Sequence, residues 1–327
     1  MDKRGDGILR SIPIEADTLA EAWHEAMLAC YENGVRTLDP QYQGKEFYSY
    51  DGDININVRN PLQEPMRHRY GVIDVELGMM QYILEFTHGI HNHWKRNPDD
   101  PNDTRWGYTY NERFASQIPF HLKRIEQDWE KRKDLSSRKY FIDIGRPRED
   151  AILEQTDPPC FRGGHFRFLK DDKGEWWLNY ITTWRSRDLA KAWLENCFGQ
   201  TKLQKLLADK VSDMLEIPIH VGAYIDKNSS LHIYGRYFED DHLGGILEEM
   251  KKMPLENIGM PIFMMNSESE LKRVIAAQTD AEDKGLGKNL NEDALKKLGY
   301  NLENFPYPKD WDSWPKEWDL EPDKSSL

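Results

Sequence analysis

Two strand-like runs constrain this chain more than anything else in it. Gly164–Leu169 and Trp176–Trp184 are rich in aromatic and β-branched residues, and Asp171-Asp172-Lys173-Gly174 stands between them. Strand formers on both sides of a short polar segment closed by glycine read as a β-hairpin. An isolated hairpin is marginal in water, so this one calls for a larger sheet. Its flanks carry chemistry. Asp157-Pro158-Pro159-Cys160 precedes the first strand, and Trp184-Arg185-Ser186-Arg187-Asp188 closes the second. Asn196 follows eight residues after Asp188. A cysteine behind a rigid Pro-Pro, with an arginine arriving at the end of a strand, is a way to build an activated thiolate over an anion site.

The segments around the hairpin mix helices and strands. Thr18-x-x-Glu21 is a capping box, after which Leu19, Trp23, Met27 and Cys30 share one helical face and Asn33-Gly34 ends the helix. Ile54–Val58 alternates apolar residues with asparagine, as a half-buried strand does. Helical spacing recurs over 73–87, 119–133 and the leucine-rich stretch around Leu203–Leu215. Glu85 lies at the border of the apolar face of the first of these. Tyr140–Ile144 reads as a short strand. Ile219–Ile225 and Leu231–Tyr237 read as a strand pair about Lys227-Asn228-Ser229-Ser230. Without regular β-α-β alternation the class is α+β. From residue 244 the character changes. Helical stretches at Ser267–Ala277 and Asn291–Leu298 lead into a Pro-, Trp- and acid-rich tail, whose Trp311, Trp314 and Trp318 are expected in surface grooves. The division expected is therefore 1–243 and 244–327.

Composition removes several functions. A net charge of −13 argues against nucleic acid held through its phosphates, but not against a small phosphorylated ligand held by a few arginines. Cys30, Cys160 and Cys197 are widely spaced, which suits a reducing compartment and no disulfide framework. No run is long and apolar enough to span a bilayer, so a soluble, cytoplasmic protein is expected. His88, His91 and His93 fall in a polar loop over 88–104. Transition-metal sites usually add carboxylate or thiolate ligands on ordered elements, so the reading is a solvated loop and no metal. Cys30 and Cys197 read as core, and Arg187 as surface.

Pro158-Pro159-Cys160, then Arg185-Ser186-x-Asp188, Asn196 and His232-x-Tyr234, in this order, resemble the thymidylate synthase family and its deoxypyrimidine nucleotide hydroxymethylases. Ser137-Arg138-Lys139 before a strand resembles the paired basic residues that this family carries ahead of its nucleophile. The likeness runs from about residue 70 to 240. It implies a mixed sheet packed with helices, one sheet face forming a homodimer interface, and 5,10-methylenetetrahydrofolate as cofactor. It also implies roles. Cys160 would add to C6 of the pyrimidine, so that C5 can attack a one-carbon electrophile. Arg185 and Ser186 would hold the 5′-phosphate, with Arg138 and Lys139 reaching it from the partner subunit. Asp188 would belong to the substrate site, and His232 and Tyr234 would bond the 3′-hydroxyl. Asn196 would pair with N3–H and O4 of uracil, which favours dUMP over dCMP.

The chain also departs from that family. Phe161 follows the cysteine where histidine is usual. Counting back from Gly89 places Tyr82 where the catalytic glutamate is expected, so Glu85, three residues on and nearly on the same face, is the candidate general acid/base, with Glu76 as the alternative. The tail after 244 is polar, whereas the family closes its site with a short apolar segment. A wetter site would let water capture the exocyclic methylene and yield a 5-hydroxymethyl nucleotide. The expected activity is thus hydroxymethylation of dUMP, with methylation to dTMP next. A relative that only binds nucleotides is the alternative of another class.

Overall fold

The computed structural model describes residues 8–38, 47–71, 75–89, 91–92, 95–97, 103, 105–152, 157–240, 242–260 and 314–319. Side chains of 75–81 and 317 fall outside that description. The expected helices at Ser267–Ala277 and Asn291–Leu298, together with Trp311 and His93, lie outside it as well.

Strand β1 (Ser11–Ala16) leads into helix α1 (Leu19–Asn33), and β2 (Val35–Leu38), β3 (Tyr48–Val58) and β4 (Arg67–His68) follow. The Thr18 hydroxyl accepts from Glu21 N–H at 3.3 Å, while the Glu21 carboxylate accepts from Asp17 N–H at 2.7 Å. Both side chains of the Thr-x-x-Glu motif therefore satisfy orphan donors at the start of α1. Three helices come next, α2 (Val75–His88), α3 (Tyr110–Phe114) and α4 (Ile118–Arg132), then β5 (Phe141–Asp143) and the single turn α5 (Pro147–Asp150). The hairpin is β6 (Phe161–Lys170) and β7 (Trp176–Trp184), turning through Gly174 at φ +84°. After β8 (Arg187–Asp188) and α6 (Ala192–Leu215), β9 (Ile219–Ile233) precedes α7 (Tyr237–Asp240), α8 (Leu243–Met250) and β10 (Gly259–Met260).

One mixed sheet in the order β1-β3-β9-β7-β6-β5 organises these elements, with β2 on β3 and β8 on β9. The pairs β1–β3 and β9–β7 are parallel, and β3–β9, β7–β6 and β6–β5 are antiparallel. Alternation decides the two faces. Ile54, Ile56, Val58, Phe166, Phe168, Leu178, Tyr180 and Tyr224 point into the core, where Trp23 and Met27 of α1 and Trp193, Phe198 and Leu203 of α6 complete the packing. Asn55, Asn57, His165, Arg167, Asn179, Ile181 and Ile225 point the other way and stay half-buried. The α+β class is therefore correct.

The expected strand pair at the end of the sheet is not. Lys227-Asn228-Ser229-Ser230 is no turn: β9 runs through it as one strand of 15 residues. The polar residues that imitate a turn are paired inside the sheet. Asn228 Nδ2 donates to Asp226 Oδ2 at 2.8 Å and to Ile54 O at 3.2 Å, and Ser230 Oγ donates to Asp51 Oδ2 at 3.0 Å. Turn propensity lost to tertiary hydrogen bonding.

The expected boundary after residue 243 falls at the start of α8. Leu243, Leu247 and Met250 pack in the main core, and β10 pairs with β4. Trp318 is fully buried in the same core, and Trp314 packs edge-on against it with ring centroids 5.0 Å apart. Lys210 holds the neighbouring Asp319 at 2.6 Å.

Candidate active site

The β6–β7 register pairs Phe161 with Trp184, which sets Cys160 beside Arg185 across the open end of the hairpin. Arg185 N–H donates to Cys160 O at 2.9 Å. Its guanidinium closes on the residues just before the cysteine. Nε donates to Pro158 O and Pro159 O at 3.2 Å, Nη2 donates to Pro158 O, and Nη2 reaches Asp157 Oδ1 at 3.1 Å. Two prolines cannot donate to a ladder, so their carbonyls are available to an arginine, and the arginine in turn fixes the approach to Cys160. Burial pushes the Cys160 thiol above its ordinary value. Arg185 pulls it down, Asp157 pushes it up and Arg187 pulls it down again, but burial prevails. The expected activation by Arg185 is present and outweighed.

Cys160 lines a cavity of about 540 Å³. Glu85 and Tyr82 line the same cavity from α2, together with Trp106, Tyr108 and Tyr110. Arg96, Asp103, Arg105 and Asp157 supply its charged groups. Arg105 grips Asp103 through Nε at 3.0 Å and Nη2 at 2.6 Å, which holds that carboxyl well below its ordinary value. The Tyr110 hydroxyl accepts from Phe161 N–H at 3.4 Å and so ties the aromatic wall to the residue after the nucleophile. The lining combines aromatic walls (Tyr82, Phe86, Trp106, Tyr108, Tyr110), a set of charged and polar groups and one thiol, in a volume that suits a small molecule.

His91 does not sit in a solvated loop. Its side chain is 1% exposed and its Nδ1 donates to Glu85 Oε1 at 2.6 Å. The turn at Gly89 returns the chain to the end of α2, and a polar loop residue becomes part of the cavity wall. Among the described residues no group of three or more His, Cys, Asp or Glu is placed to hold a metal. The side chain of the alternative Glu76 lies outside the description.

Arg187, expected on the surface, is buried. Its Nη2 meets Asp226 Oδ2 at 2.7 Å, the two side chains being 1% and 0% exposed. Thr182 Oγ1 (2.8 Å), Trp193 Nε1 (2.8 Å), Tyr224 OH (3.0 Å) and Asn228 Nδ2 (2.8 Å) also donate to Asp226. Trp184 covers the guanidinium at 4.1 Å. A buried charge needs a counterion, which Asp226 of β9 supplies. The Nε and Nη1 of Arg187 are buried without a hydrogen-bond partner among the described residues. No signal at Arg187 itself discloses this, because the counterion lies 39 residues further along the chain.

The remaining expected residues fall into separate places. Asp188 pairs with His232 in the β8–β9 register. Its Oδ1 accepts from Ala190 N–H at 3.0 Å and its Oδ2 from the Tyr237 hydroxyl at 2.5 Å. His232 meets Tyr234 edge-on with ring centroids 4.6 Å apart, and its Nε2 is buried with no hydrogen-bond partner among the described residues. Asn196 lies in the first turns of α6, buried and not among the residues lining the Cys160 cavity. Arg138 and Lys139 are exposed just before β5, where Arg124 Nη1 donates to Lys139 O at 3.2 Å. Ser186 is half-buried in the link between β7 and β8. The structure thus joins Cys160 to Arg185 and Glu85, and Asp188 to His232 and Tyr234. Of the expected residues only Cys160 and Glu85 line the cavity; Arg138, Lys139, Arg185, Ser186, Asp188, Asn196, His232 and Tyr234 do not.

No family model matches the chain. A curated protein of Methanosarcina barkeri (strain Fusaro / DSM 804), named "Putative thymidylate synthase", is 23% identical over 246 residues, which cover 73% of this chain and 94% of that protein. The resemblance is to thymidylate synthase. Among solved structures, the thermostable thymidylate synthase A from Bacillus subtilis is similar with a TM-score of 0.47 and 16% identity, over 71% of this chain and 84% of that one. Against the thymidylate synthase pattern, Phe161 packs in the core with Trp184 at 4.8 Å, and Tyr82 shares the cavity wall with Glu85. Among the described residues no helix is long and apolar enough to cross a membrane.

Proposed function

We propose that this chain transfers a one-carbon unit to C5 of a pyrimidine deoxynucleotide, with dUMP as substrate and a 5-hydroxymethyl nucleotide as product. The observation that carries this reading is the shared cavity of Cys160 and Glu85. A pyrimidine C5 is a poor nucleophile until a thiolate adds at C6 and sends a ring electron pair toward O4. A carboxylate facing the same space can then move protons at O4 and C5 through water. Arg185 and Ser186 take the phosphate, which displaces Asp157, 82% exposed, from the guanidinium. Asp188, His232 and Tyr234 take the sugar, and the orphan Nε2 of His232 suits a hydroxyl partner. Asn196 reads the base edge, for which its side chain has to be presented to the nucleotide.

A reduced folate fits the lining: a flat heterocycle against Trp106, Tyr108 and Tyr110, and its carboxylates toward Arg96 and Arg105. Bound as 5,10-methylenetetrahydrofolate, it supplies the one-carbon unit. The charged groups in the lining, Arg96, Asp103, Arg105 and Asp157, make a site that holds water, which favours the hydroxymethyl over the methyl product. The sheet face that the described residues leave open carries Trp177 and Ile181, with Phe141 and Leu169 exposed beside them, and suits a second copy of the chain. In such a homodimer Arg138 and Lys139 serve the partner's phosphate. Residues 1–243 form the catalytic part and 244–327 an extension, in a cytoplasmic protein.

Incubation with dUMP and methylenetetrahydrofolate distinguishes the outcomes. Hydroxymethylation yields tetrahydrofolate, methylation yields dihydrofolate, and a protein that only binds yields neither nucleotide product. Preference for dCMP would remove the role given to Asn196. Turnover by Cys160→Ser would overturn the whole reading.

A further inference from the structure

The hydrogen bond between Glu85 and His91 joins the one carboxylate that the proposed chemistry uses to an imidazole which that chemistry leaves unassigned. We propose that Glu85 and His91 form a proton-holding dyad serving the Cys160 cavity, with His91 as a positioning residue that stores the proton Glu85 delivers. The proposal rests on the one-carbon transfer reading.

Local structure is committed to this pair. Helix α2 ends in a left-handed turn at Gly89, φ +61°, where a Cβ would meet the Asn92 and Asn111 side chains at 2.3 and 2.4 Å. Asn111 Nδ2 donates to Phe86 O and Thr87 O at 3.0 Å and so closes the end of the helix. Asn92 Nδ2 donates to Asn111 Oδ1 at 2.9 Å, and Thr109 Oγ1 donates to Asn92 Oδ1 at 2.5 Å. Gly89 and Asn92 are held on either side of His91, whose Nδ1 lies 2.6 Å from Glu85 Oε1. Trp106 meets the imidazole edge-on at 5.9 Å from the other side. Both members of the pair line the cavity with the thiol.

The chemistry follows from the hydrogen bond. Nδ1–H is directed at the carboxylate, so one oxygen of Glu85 is committed and its orientation fixed. Each partner favours the charged form of the other. Loaded, the pair is a carboxylate against an imidazolium. After one proton passes through Glu85 and water to the ring oxygen, it is a carboxylate against a neutral imidazole. The ring oxygen gives that proton up to water when C5 attacks the one-carbon unit and the carbonyl re-forms, and the pair is reloaded by the proton that C5 then releases. Glu85 thus stays ionised, and the imidazole carries the change in charge. The other charged groups lining the cavity are Arg96, Asp103, Arg105 and Asp157; Tyr82, Tyr108, Tyr110 and Cys160 are the titratable groups that start neutral.

Two measurements on the full chain test the dyad. In the first, the imidazole of His91, assigned by its loss in His91→Gln, is titrated by NMR in the wild type and in Glu85→Gln. The midpoint should be at least about one pH unit higher in the wild type; equal midpoints would overturn the proposal. In the second, release of tritium from C5 of labelled dUMP is followed against pH with methylenetetrahydrofolate present. His91→Gln should lower the rate about 100-fold and abolish the alkaline limb on which the imidazolium is lost. A variant that keeps the wild-type profile would overturn the proposal. If the wild type itself releases no tritium, the one-carbon reading fails, and the titration still judges the pair.

Discussion

Arg185 and Arg187 are two residues apart and live in different solvents. Arg185 is 37% exposed and bonds to carbonyls and to an aspartate that is itself mostly in water. Arg187 is 1% exposed, faces Asp226 at 2.7 Å and lies under the Trp184 ring. A ligand can enter the first set of bonds by displacing Asp157, whereas nothing can enter the second without unpacking β7, β9 and α6. Alternation within one strand would put both on the same face. The break between β7, which ends at Trp184, and β8, which starts at Arg187, re-aims the chain so that Arg185 stays at the edge and Arg187 turns inward. The rim arginine is therefore the one to test for substrate, and the inner one for stability.

The comparison breaks most easily at the inner pair. Asp226→Ala leaves an uncompensated guanidinium among aromatic rings and should cost about 3–5 kcal/mol in urea unfolding. Replacing Arg187 and Asp226 together by apolar residues of similar volume should recover most of that loss. A cost under 1 kcal/mol for the single change would mean that the pair is not buried as described.

Next in size is a buried pair of the other kind, one that stays neutral. His24 and His68 lie 3.1 Å apart between α1 and β4. Tyr70 N–H donates to His68 Nδ1 at 3.1 Å, so His68 carries its proton on Nε2 and donates it to His24 Nδ1. Burial, reinforced by His24 and Arg69, pushes His68 down to about 3. Burial also pushes His24 down, against an opposing pull from Glu21. The unfolded chain binds protons at these sites from about pH 6.5 and the folded one at lower pH, for His68 only near 3. Their stabilisation is therefore complete above about pH 6.5 and is lost as the pH falls from there toward 3, at up to about 1.4 kcal/mol per unit for His68. His68→Gln should flatten the acid limb of a plot of stability against pH.

The smallest effect belongs to the rim. Arg185→Ala should change stability by no more than about 1 kcal/mol, as exposed ion pairs do. It should nevertheless raise the Cys160 thiol further, because the largest influence opposing burial is gone. Alkylation by iodoacetamide at neutral pH should then slow several-fold. An unchanged rate would mean that Arg185 does not act on the thiol electrostatically.

Much of the scaffold was legible in the order of residues. The capping box of α1, the hairpin β6–β7 and the leucine-rich helix α6 each follow from local periodicity and end signals, which act within a few residues. So does the adjacency of Cys160 and Arg185, since a hairpin of matched strands returns its end to its start. Glu85 was reached by counting helical turns from Gly89, and it does face the cavity.

What the sequence could not decide depended on partners far along the chain. Lys227-Asn228-Ser229-Ser230 has the composition of a turn, and only the inward placement of Asp226 and Asn228 beside Arg187 makes it strand. Arg187 has the composition of a surface residue, and only Asp226 permits its burial. His91 reads as a loop histidine until the turn at Gly89 folds it onto Glu85. In each case a polar side chain has several acceptable environments in isolation, and the free energy that selects one comes from hydrogen bonds and counterions that the fold brings together. Apolar periodicity is local and was sufficient by itself; the pairing of buried polar groups is long-range and belonged to the tertiary structure.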